Sequence, residues 1–451
     1  MSAPHKKIGI WGLGATGKSA ISYFRGLGYE LAVIDQKTLS PDEQELLRGT
    51  HSAFYTQDNI ETFLQTYDVI LPSPGIDIRP YVTRSNTWLN ELDIFYSAWK
   101  KPIIAITGSI GKTTITHLLS KLLKHNAVQV ATGGNIGTPM LDLLAQKDES
   151  DMVLLELSSF QLEQCKEFAP DLAIWTNLYP NHLDRHGSEQ EYLAAKAQII
   201  AHQKDCQQAL IPLNLKDCVH GSRIIHYFSA QLPTQEQLAS LPATSKLFYI
   251  HNGAIVIYNN GTTTPIILCN TLPTITFEEN WLIMCSALTL LNQPLPEFDT
   301  IDLALPEHRL EKVATIHGVT FYNDSKSTTS QSTLAAVNAL KNKPILLLLG
   351  GLGKGVDRSP LIADLKGQVK KIYCFGKEAE QLHAYCIEQG IPSAAFHNLD
   401  AAFAACVADM QPGDQVLLSP AGSSYDLFAH YIERGMYFKK LVYDLTLTAQ
   451  Q

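Results

Sequence analysis

The segment Ile103-Ile-Ala-Ile-Thr107-Gly-Ser-Ile-Gly-Lys-Thr-Thr114 has the parts of a phosphate cradle. An apolar run ends on Thr107, glycines stand at 108 and 111, and Lys112 opens a stretch that reads as a helix through Leu123. A phosphate needs backbone N–H groups turned inward, which glycines permit sterically. It also needs a lysine for the outer oxygens, a hydroxyl for Mg²⁺ and a helix N-terminus for the charge. Gly108, Ser109, Ile110, Gly111, Lys112, Thr113 and Thr114 are therefore the expected ATP-phosphate loop, in a Gly-x-x-Gly-Lys-Thr spacing shorter than the general one. A second apolar strand, Asp151 to Glu156, delivers a carboxylate at its end, where a P-loop protein holds its metal. An N-cap or turn carboxylate is the plainer reading of Glu156.

Gly12-x-Gly14-x-x-Gly17 follows the strand-like Lys7-Ile-Gly-Ile-Trp11, and Asp35 closes the next apolar run, Leu31 to Ile34. That is the spacing of a dinucleotide fingerprint. Three readings fit it: a nicotinamide cofactor, a glycine turn that only packs helix on strand, or another nucleotide such as a UDP-sugar on the same helix end. With ATP already placed on the second loop, the UDP-sugar is favoured. Asn181-His182-Leu-Asp184-Arg-His186 precedes a helix-like stretch, Ser188 to Ile200, that carries Lys196. Its His-x-Asp-x-His lacks a fourth metal partner at a recognisable spacing. Farther on, Asp324 and Lys326 end a strand-like run; they suit a ribose or phosphate, and equally suit solvated loop charges. Gly350-Gly-Leu-Gly-Lys354-Gly355 could be a further phosphate loop, but without a following Ser or Thr its lysine serves a carboxylate as well.

Such loops need strands to end on and helices to begin, and the chain supplies both in βα alternation, the pattern of mostly parallel sheets flanked by helices. The alternation restarts near Trp99 and again after Leu305-Pro306, so domains of residues 1–98, 99–305 and 306–451 are expected. Residues 205–275 break the pattern with polar turns between short β-like runs and read as an antiparallel portion, while Pro72-Ser-Pro-Gly75 reads as loop. At 451 residues, 45% hydrophobic and 18% charged, the chain can bury several cores and is not disordered. Its Lys+Arg 35 and Asp+Glu 44 leave a net charge of -9, which argues against a nucleic-acid surface. The eight cysteines contain no C-x-x-C pair and read as small buried hydrophobes in a reducing compartment. Met1 to Lys7 is polar, unlike a signal peptide, and the longest aliphatic run, Ile345 to Leu349, is too short for a bilayer; a cytoplasmic protein without a membrane partner is expected.

In this order the motifs resemble the Mur ligase family of peptidoglycan synthesis. The resemblance also draws on Gly133-Gly-Asn-Ile-Gly137, Glu156-Leu-Ser-Ser-Phe-Gln161, Tyr192-Leu-Ala-Ala-Lys196, Glu307-His-Arg309-Leu-Glu311 and Leu418-Ser-Pro-Ala421, and covers essentially the whole chain. It implies an α/β fold of three domains: a Rossmann-like N-terminal domain for a UDP-substrate, a central P-loop ATPase domain with a small antiparallel β portion, and a Rossmann-like C-terminal domain for an amino acid. The opening Gly-x-Gly-x-Thr-Gly and Ser73-Pro-Gly75 point within the family to ligation of D-glutamate to UDP-N-acetylmuramoyl-L-alanine with ATP, by a monomer.

By the same resemblance, Gly14, Ala15, Thr16, Asp35, Gln36, Ser73, Pro74 and Gly75 would hold the uridine diphosphate, and Asn135, Ser158, Ser159 and Gln161 the muramoyl part. Lys112, His182 and Lys196 would be catalytic, Thr113 and Glu156 would take one Mg²⁺, and His182 with a carbamylated Lys196 a second. Asn280, Arg309, Asp324 and Lys326 would close on ATP, and Thr328, Lys354, Ser424 and Tyr431 would hold D-glutamate. The chain departs from the family at Ile110, Glu279, Ile283 and Leu352, where Asn, His, a second Asn and an acidic residue are usual. A dehydrogenase would leave the P-loop unexplained, and a P-loop switch would not need Arg309, Lys326 and Lys354.

Overall fold

The computed structural model describes residues 7–48, 53–219 and 224–448. The polar opening, Met1 to Lys6, lies outside them, so the expectation about a signal peptide rests on sequence alone. Among the described residues the strands form three sheets of five, nine and six. The first runs Ala53–Thr56, Glu30–Asp35, Lys7–Trp11, Val69–Pro72, Thr87–Trp88, all parallel. Pro72, expected in a loop, forms the last rung of its strand opposite Trp11. A terminal rung tolerates a missing N–H donor, and the turn begins only at Ser73.

The second sheet places Ile103–Thr107 between Met152–Glu156 and Leu172–Trp175, with Val130–Gly134 beyond the former. On the other side it continues through Gln208–Pro212, Ile224–Ser229 and Leu247–His251, still parallel. Only Ala254–Asn259 and Thr262–Leu268 turn back as hairpins. The antiparallel portion is therefore narrower than residues 205–275, because the polar stretches at Leu213–Cys218 and Gln235–Ala239 form short helical crossovers rather than hairpin turns.

The third sheet is ordered Glu311–Ile316, Val319–Asn323, Gln415–Leu418, Ile345–Gly350, Lys371–Phe375, Ser393–Phe396, antiparallel only at its first pair. Its aliphatic run explains itself: Ile345, Leu347 and Leu349 pack into one core and Leu346 and Leu348 into the opposite one. A parallel strand covered on both faces reads as continuously apolar.

By compactness the chain divides into two units. Residues 1–177, 193–272 and 278–301 form one; residues 178–192, 273–277 and 302–451 form the other. Inside the first unit the helix Glu91–Trp99, which follows the first sheet in the chain, docks on the segment after Met152–Glu156. Asn90 Nδ2 donates to the Gln161 carbonyl at 3.1 Å, and Asp93 accepts the amides of Lys166, Glu167 and Phe168 at 2.8–3.0 Å. No described helix is long and apolar enough to cross a membrane. The cysteines are free thiols, but Cys206 and Cys218 are exposed and Cys269 half-buried, so the buried-hydrophobe reading holds only for the other five. Those three lie in or beside surface turns of the second sheet's extension, where no core reaches them.

Candidate nucleotide and substrate site

The parallel strands of the second sheet deliver their carboxyl ends to one place, the usual location of a site in an open α/β sheet. Ile103–Thr107 ends in the glycine loop, and the helix Lys112–His125 starts directly after it. Gly108 and Gly111 have φ of 147° and 84°. A Cβ at Gly108 would fall 1.9 Å from Thr176 Oγ1, and one at Gly111 2.9 Å from Asn280 Oδ1, so both glycines are sterically required. The same contact brings Asn280, from the helix Glu278–Leu290, against the loop.

The loop is clamped by a residue that sequence reasoning passed over. Asn177 Oδ1 accepts the amides of Ser109 and Ile110 at 3.1 and 2.9 Å, while Thr176 Oγ1 donates to the Ile110 carbonyl at 2.7 Å. The amides of Ser109 and Ile110 thus face Asn177. The first helical turn, Lys112 to Thr114, presents amides that no helix ladder uses, with Thr113 and Thr114 largely buried beside them. Lys112 Nζ lies over the loop, donating to the carbonyls of Gly108 at 2.7 Å and Ser109 at 3.2 Å.

Behind the loop two buried ionisable groups stand together. Lys196 is 1% exposed and donates to the Gly108 carbonyl at 2.8 Å. Burial pushes its amine well below the usual lysine range, Lys112 pushes it the same way, and Glu156 opposes both. Glu156 is 2% exposed; its Oε1 accepts from Asn135 Nδ2 at 3.0 Å, and its Oε2 has no hydrogen-bond partner. A buried carboxylate oxygen left unpaired is costly unless a cation meets it. That orphaned atom, with the Thr113 hydroxyl at the helix start, fits a hard, oxygen-seeking dication. Among the described residues no group of three or more His, Cys, Asp or Glu forms a ready metal cage. Ser158 and Gln161 form a capping box at Ser159–Leu162, with Gln161 Oε1 accepting from the Ser158 amide at 2.9 Å; Ser159 is buried alongside.

In the first sheet the opening glycine turn is as tight as its spacing implies. A Cβ on Gly17 would overlap the Gly12 carbonyl at 1.9 Å. Asp35 Oδ2 accepts the Leu13 amide at 2.6 Å, so this carboxylate fastens the turn, and its Oδ1 takes the Lys37 amide beyond Gln36. Ser73 Oγ donates to the Gly12 carbonyl at 3.2 Å, which brings Ser73, at the head of the Ser73-Pro74-Gly75 loop, against the glycine turn; Gly14, Ala15 and Thr16 follow that turn at the start of the helix Ala15–Gly26.

The second compact unit gathers another set. Asp324 is 1% exposed, accepts from Leu310 N and Ser419 Oγ at 3.1 and 2.8 Å, and is raised above the usual carboxylate range by burial while Arg309 opposes the rise. His308 and Leu310, on either side of Arg309, have φ of 64° and 45°. A bulky residue in that region is held there by its surroundings, a strain common at ligand sites. Lys326 Nζ lies 5.2 Å from the Tyr431 ring centroid, and Lys354 Nζ donates to Thr328 Oγ1 at 3.1 Å. The Lys354 loop is stitched to the loop before Ser424 by paired Leu352 and Ser423 backbone bonds of 3.0 and 2.9 Å. It also lies against the His182 segment, since a Cβ on Gly355 would meet the Asp184 amide at 3.0 Å. His182 itself has φ of 57°, and His186 is buried against the Tyr192 ring.

Comparison with known proteins bears on all three sheets. Family models match residues 6–86 (Mur ligase MurD-like, N-terminal domain), 106–231 (Mur ligase middle domain) and 308–422 (Mur ligase, glutamate ligase domain). The chain is similar to the UDP-N-acetylmuramoylalanine–D-glutamate ligases of Lawsonia intracellularis, 31% identical with 98% of this chain and 95% of that one covered, and Acidobacterium capsulatum, 34% with 98% and 97%. Among solved structures it shares its fold with the UDP-N-acetylmuramate-alanine ligase MurC of Thermotoga maritima, at 15% identity, TM-score 0.58, and 98% and 100% coverage. It also shares it with the MurF ligase of the same organism in complex with ADP, at 17%, TM-score 0.55, and 92% and 91%.

Proposed function

The chain belongs to the Mur ligase family, and from that premise we propose that it joins D-glutamate to UDP-N-acetylmuramoyl-L-alanine, converting ATP to ADP and phosphate in peptidoglycan precursor synthesis. The observation that carries this reading is the cluster of half-buried Lys112 with buried Lys196 and Glu156 at the glycine loop, in a chain alike over nearly its whole length to ligases of that activity. Residues 1–98 are assigned the UDP-substrate, 99–305 ATP, and 306–451 the amino acid.

A carboxylate and an amine do not condense in neutral water, because the carboxylate is a poor electrophile. Its oxygen attacks the γ-phosphorus of ATP, the bond to the bridging oxygen breaks, and ADP leaves behind an acyl phosphate. Lys112 turns from the Gly108 and Ser109 carbonyls to the transferring group, whose charge it neutralises. Asn280, Arg309, Asp324 and Lys326 hold the nucleotide. The amine of D-glutamate, placed by Thr328, Lys354, Ser424 and Tyr431, then attacks the carbonyl carbon and loses a proton as phosphate departs. Gly14 to Thr16, Asp35, Gln36 and Ser73 to Gly75 bind the diphosphate end; Asn135, Ser158, Ser159 and Gln161 orient the muramoyl end.

Thr113 and Glu156 would hold one Mg²⁺ and His182 with Lys196 another. When bound, these ions supply positive charge to the phosphoryl oxygens. Lys196 serves as a ligand only after its neutral amine adds carbon dioxide, releasing a proton and leaving a carbamate anion. Its suppressed basicity supports that step.

The test is product analysis by mass spectrometry with UDP-N-acetylmuramoyl-L-alanine, ATP and a panel of D- and L-amino acids. The expected result is an amide product with D-glutamate alone; a product with a different amino acid, or with none, overturns the assignment.

A further inference from the structure

One buried carboxyl group plays no part in the scheme above. Glu91 opens the helix Glu91–Trp99 and is 4% exposed. The polar groups it faces are the Thr16 hydroxyl and the Leu141 amide, although neither of its oxygens has closed a hydrogen bond of good geometry. Among the described residues, the elements packed on its helix bring no cation to its carboxyl; Lys147, after Leu144–Gln146, bonds the Ala98 carbonyl at the helix's other end at 2.8 Å. The helix Met140–Leu143 contributes Asp142, a like charge, which takes the Ser19 hydroxyl at 2.6 Å. Ser159–Leu162 and Leu144–Gln146 carry no charged residue, and Lys18 beside Thr16 is paired with Glu43 at 2.8 Å. On its own helix, Asp93 is taken up by three backbone amides. Burial and Asp142 therefore favour the protonated acid, raising its pKa to about 7. The dipole of its own helix favours the anion only weakly beside that cost.

Thr16 is half-buried in the first turn of Ala15–Gly26, with its hydroxyl beside the Glu91 carboxyl. A hydroxyl has one proton to donate. We propose that Glu91 is a positioning residue for the UDP-substrate, and that its protonation decides whether the Thr16 hydroxyl is offered to the diphosphate. The protonated acid donates to Thr16 Oγ1 and leaves the threonine proton for a phosphate oxygen. The carboxylate takes that proton for itself and adds a negative charge behind the helix end. Binding of the UDP-substrate thus takes up a proton near neutral pH. The inference rests on the assignment of Thr16 to the UDP-substrate site.

The test is the pH dependence of KM for UDP-N-acetylmuramoyl-L-alanine in wild type, Glu91→Gln and Thr16→Ala. In wild type KM rises above neutrality, approaching about tenfold per pH unit as for a single linked proton, with kcat unaffected. Glu91→Gln, whose amide donates in place of the acid, keeps the low-pH KM throughout. Coincident profiles for wild type and Glu91→Gln overturn the proposal. An unchanged KM in Thr16→Ala overturns instead the placement of Thr16 in the site. Calorimetry of wild type with the same substrate, in two buffers of different ionisation heat at pH 8, gives an independent reading should the variant not fold. Uptake approaching one proton is expected, and heats independent of buffer contradict it.

Discussion

The side-chain nitrogens of Lys112 and Lys196 lie on the same carbonyl oxygen, that of Gly108, at 2.7 and 2.8 Å. Two full cations sharing one oxygen repel one another, most strongly where water is excluded. Lys112 sits half-buried at the mouth of the loop, whereas Lys196 is buried, so burial first and this repulsion second hold the Lys196 amine well below the usual lysine range. The fold thereby weakens a lysine's hold on its proton beside the loop proposed to hold ATP.

The proposed carbamate draws on that lowered basicity. Lys196→Ala is expected to lose nearly all turnover and to regain part of it with small carboxylic acids such as formate or acetate. Depleting carbon dioxide should slow wild type, and bicarbonate should restore it. An absence of rescue at any acid concentration would count against a carbamylated lysine.

Lys112→Ala removes a charge proposed to follow the transferring phosphoryl group. A fall in kcat of on the order of 10²–10³ or more is expected, with folding intact by circular dichroism. Turnover like that of wild type would refute the site.

Asn135 is bonded to Glu156 at 3.0 Å, which makes it the orienter of a proposed metal ligand as well as a proposed contact of the muramoyl group. Asn135→Ala should raise the Mg²⁺ concentration for half-maximal activity by about 10–100-fold. If only KM for the UDP-substrate moves, the residue serves the sugar and not the metal.

His226 links pH to stability away from the site. It is 3% exposed, its Nε2 is bonded to Gln208 Oε1 at 3.0 Å, and its Nδ1 accepts the Lys246 amide at 3.1 Å. Protonation would set a second donor against that amide. Burial, with Lys246 adding to it, depresses the ring to about 4, so between about 4 and the ordinary 6.5 the unfolded chain holds the extra proton. Stability is complete above pH 6.5 and lost as pH falls toward 4, by roughly 3 kcal/mol at most. Tm should drop across that window in wild type and drop less in His226→Asn; parallel curves would contradict the assignment.

The phosphate loop and Glu156 were legible in the sequence because each obeys a local rule: glycines where φ is positive, a lysine at a helix start, a carboxylate at the end of an apolar strand. Asn177 was not. Its role depends on Leu172–Trp175 lying beside Ile103–Thr107, a pairing of residues 68 apart, Ile104 with Leu172, that no local pattern announces. The left-handed backbone at His308 and Leu310 was equally hidden, since neither residue type favours it and only the packing around Arg309 imposes it. Glu91 reads in sequence as an ordinary first-turn acid, and becomes distinctive only when its carboxyl is seen buried beside Thr16 and Asp142.

Coupling of ATP cleavage to the two acceptors is the heart of the account, and phosphate release from ATP measures it directly. With UDP-N-acetylmuramoyl-L-alanine and D-glutamate both present, steady release is predicted. With D-glutamate omitted, the phosphoryl group stays on the acyl phosphate and no steady release is expected, and with the UDP-substrate omitted there should be none. Release that continues at the full rate without the UDP-substrate would contradict a ligase and identify an ATPase whose cycle needs no acyl acceptor.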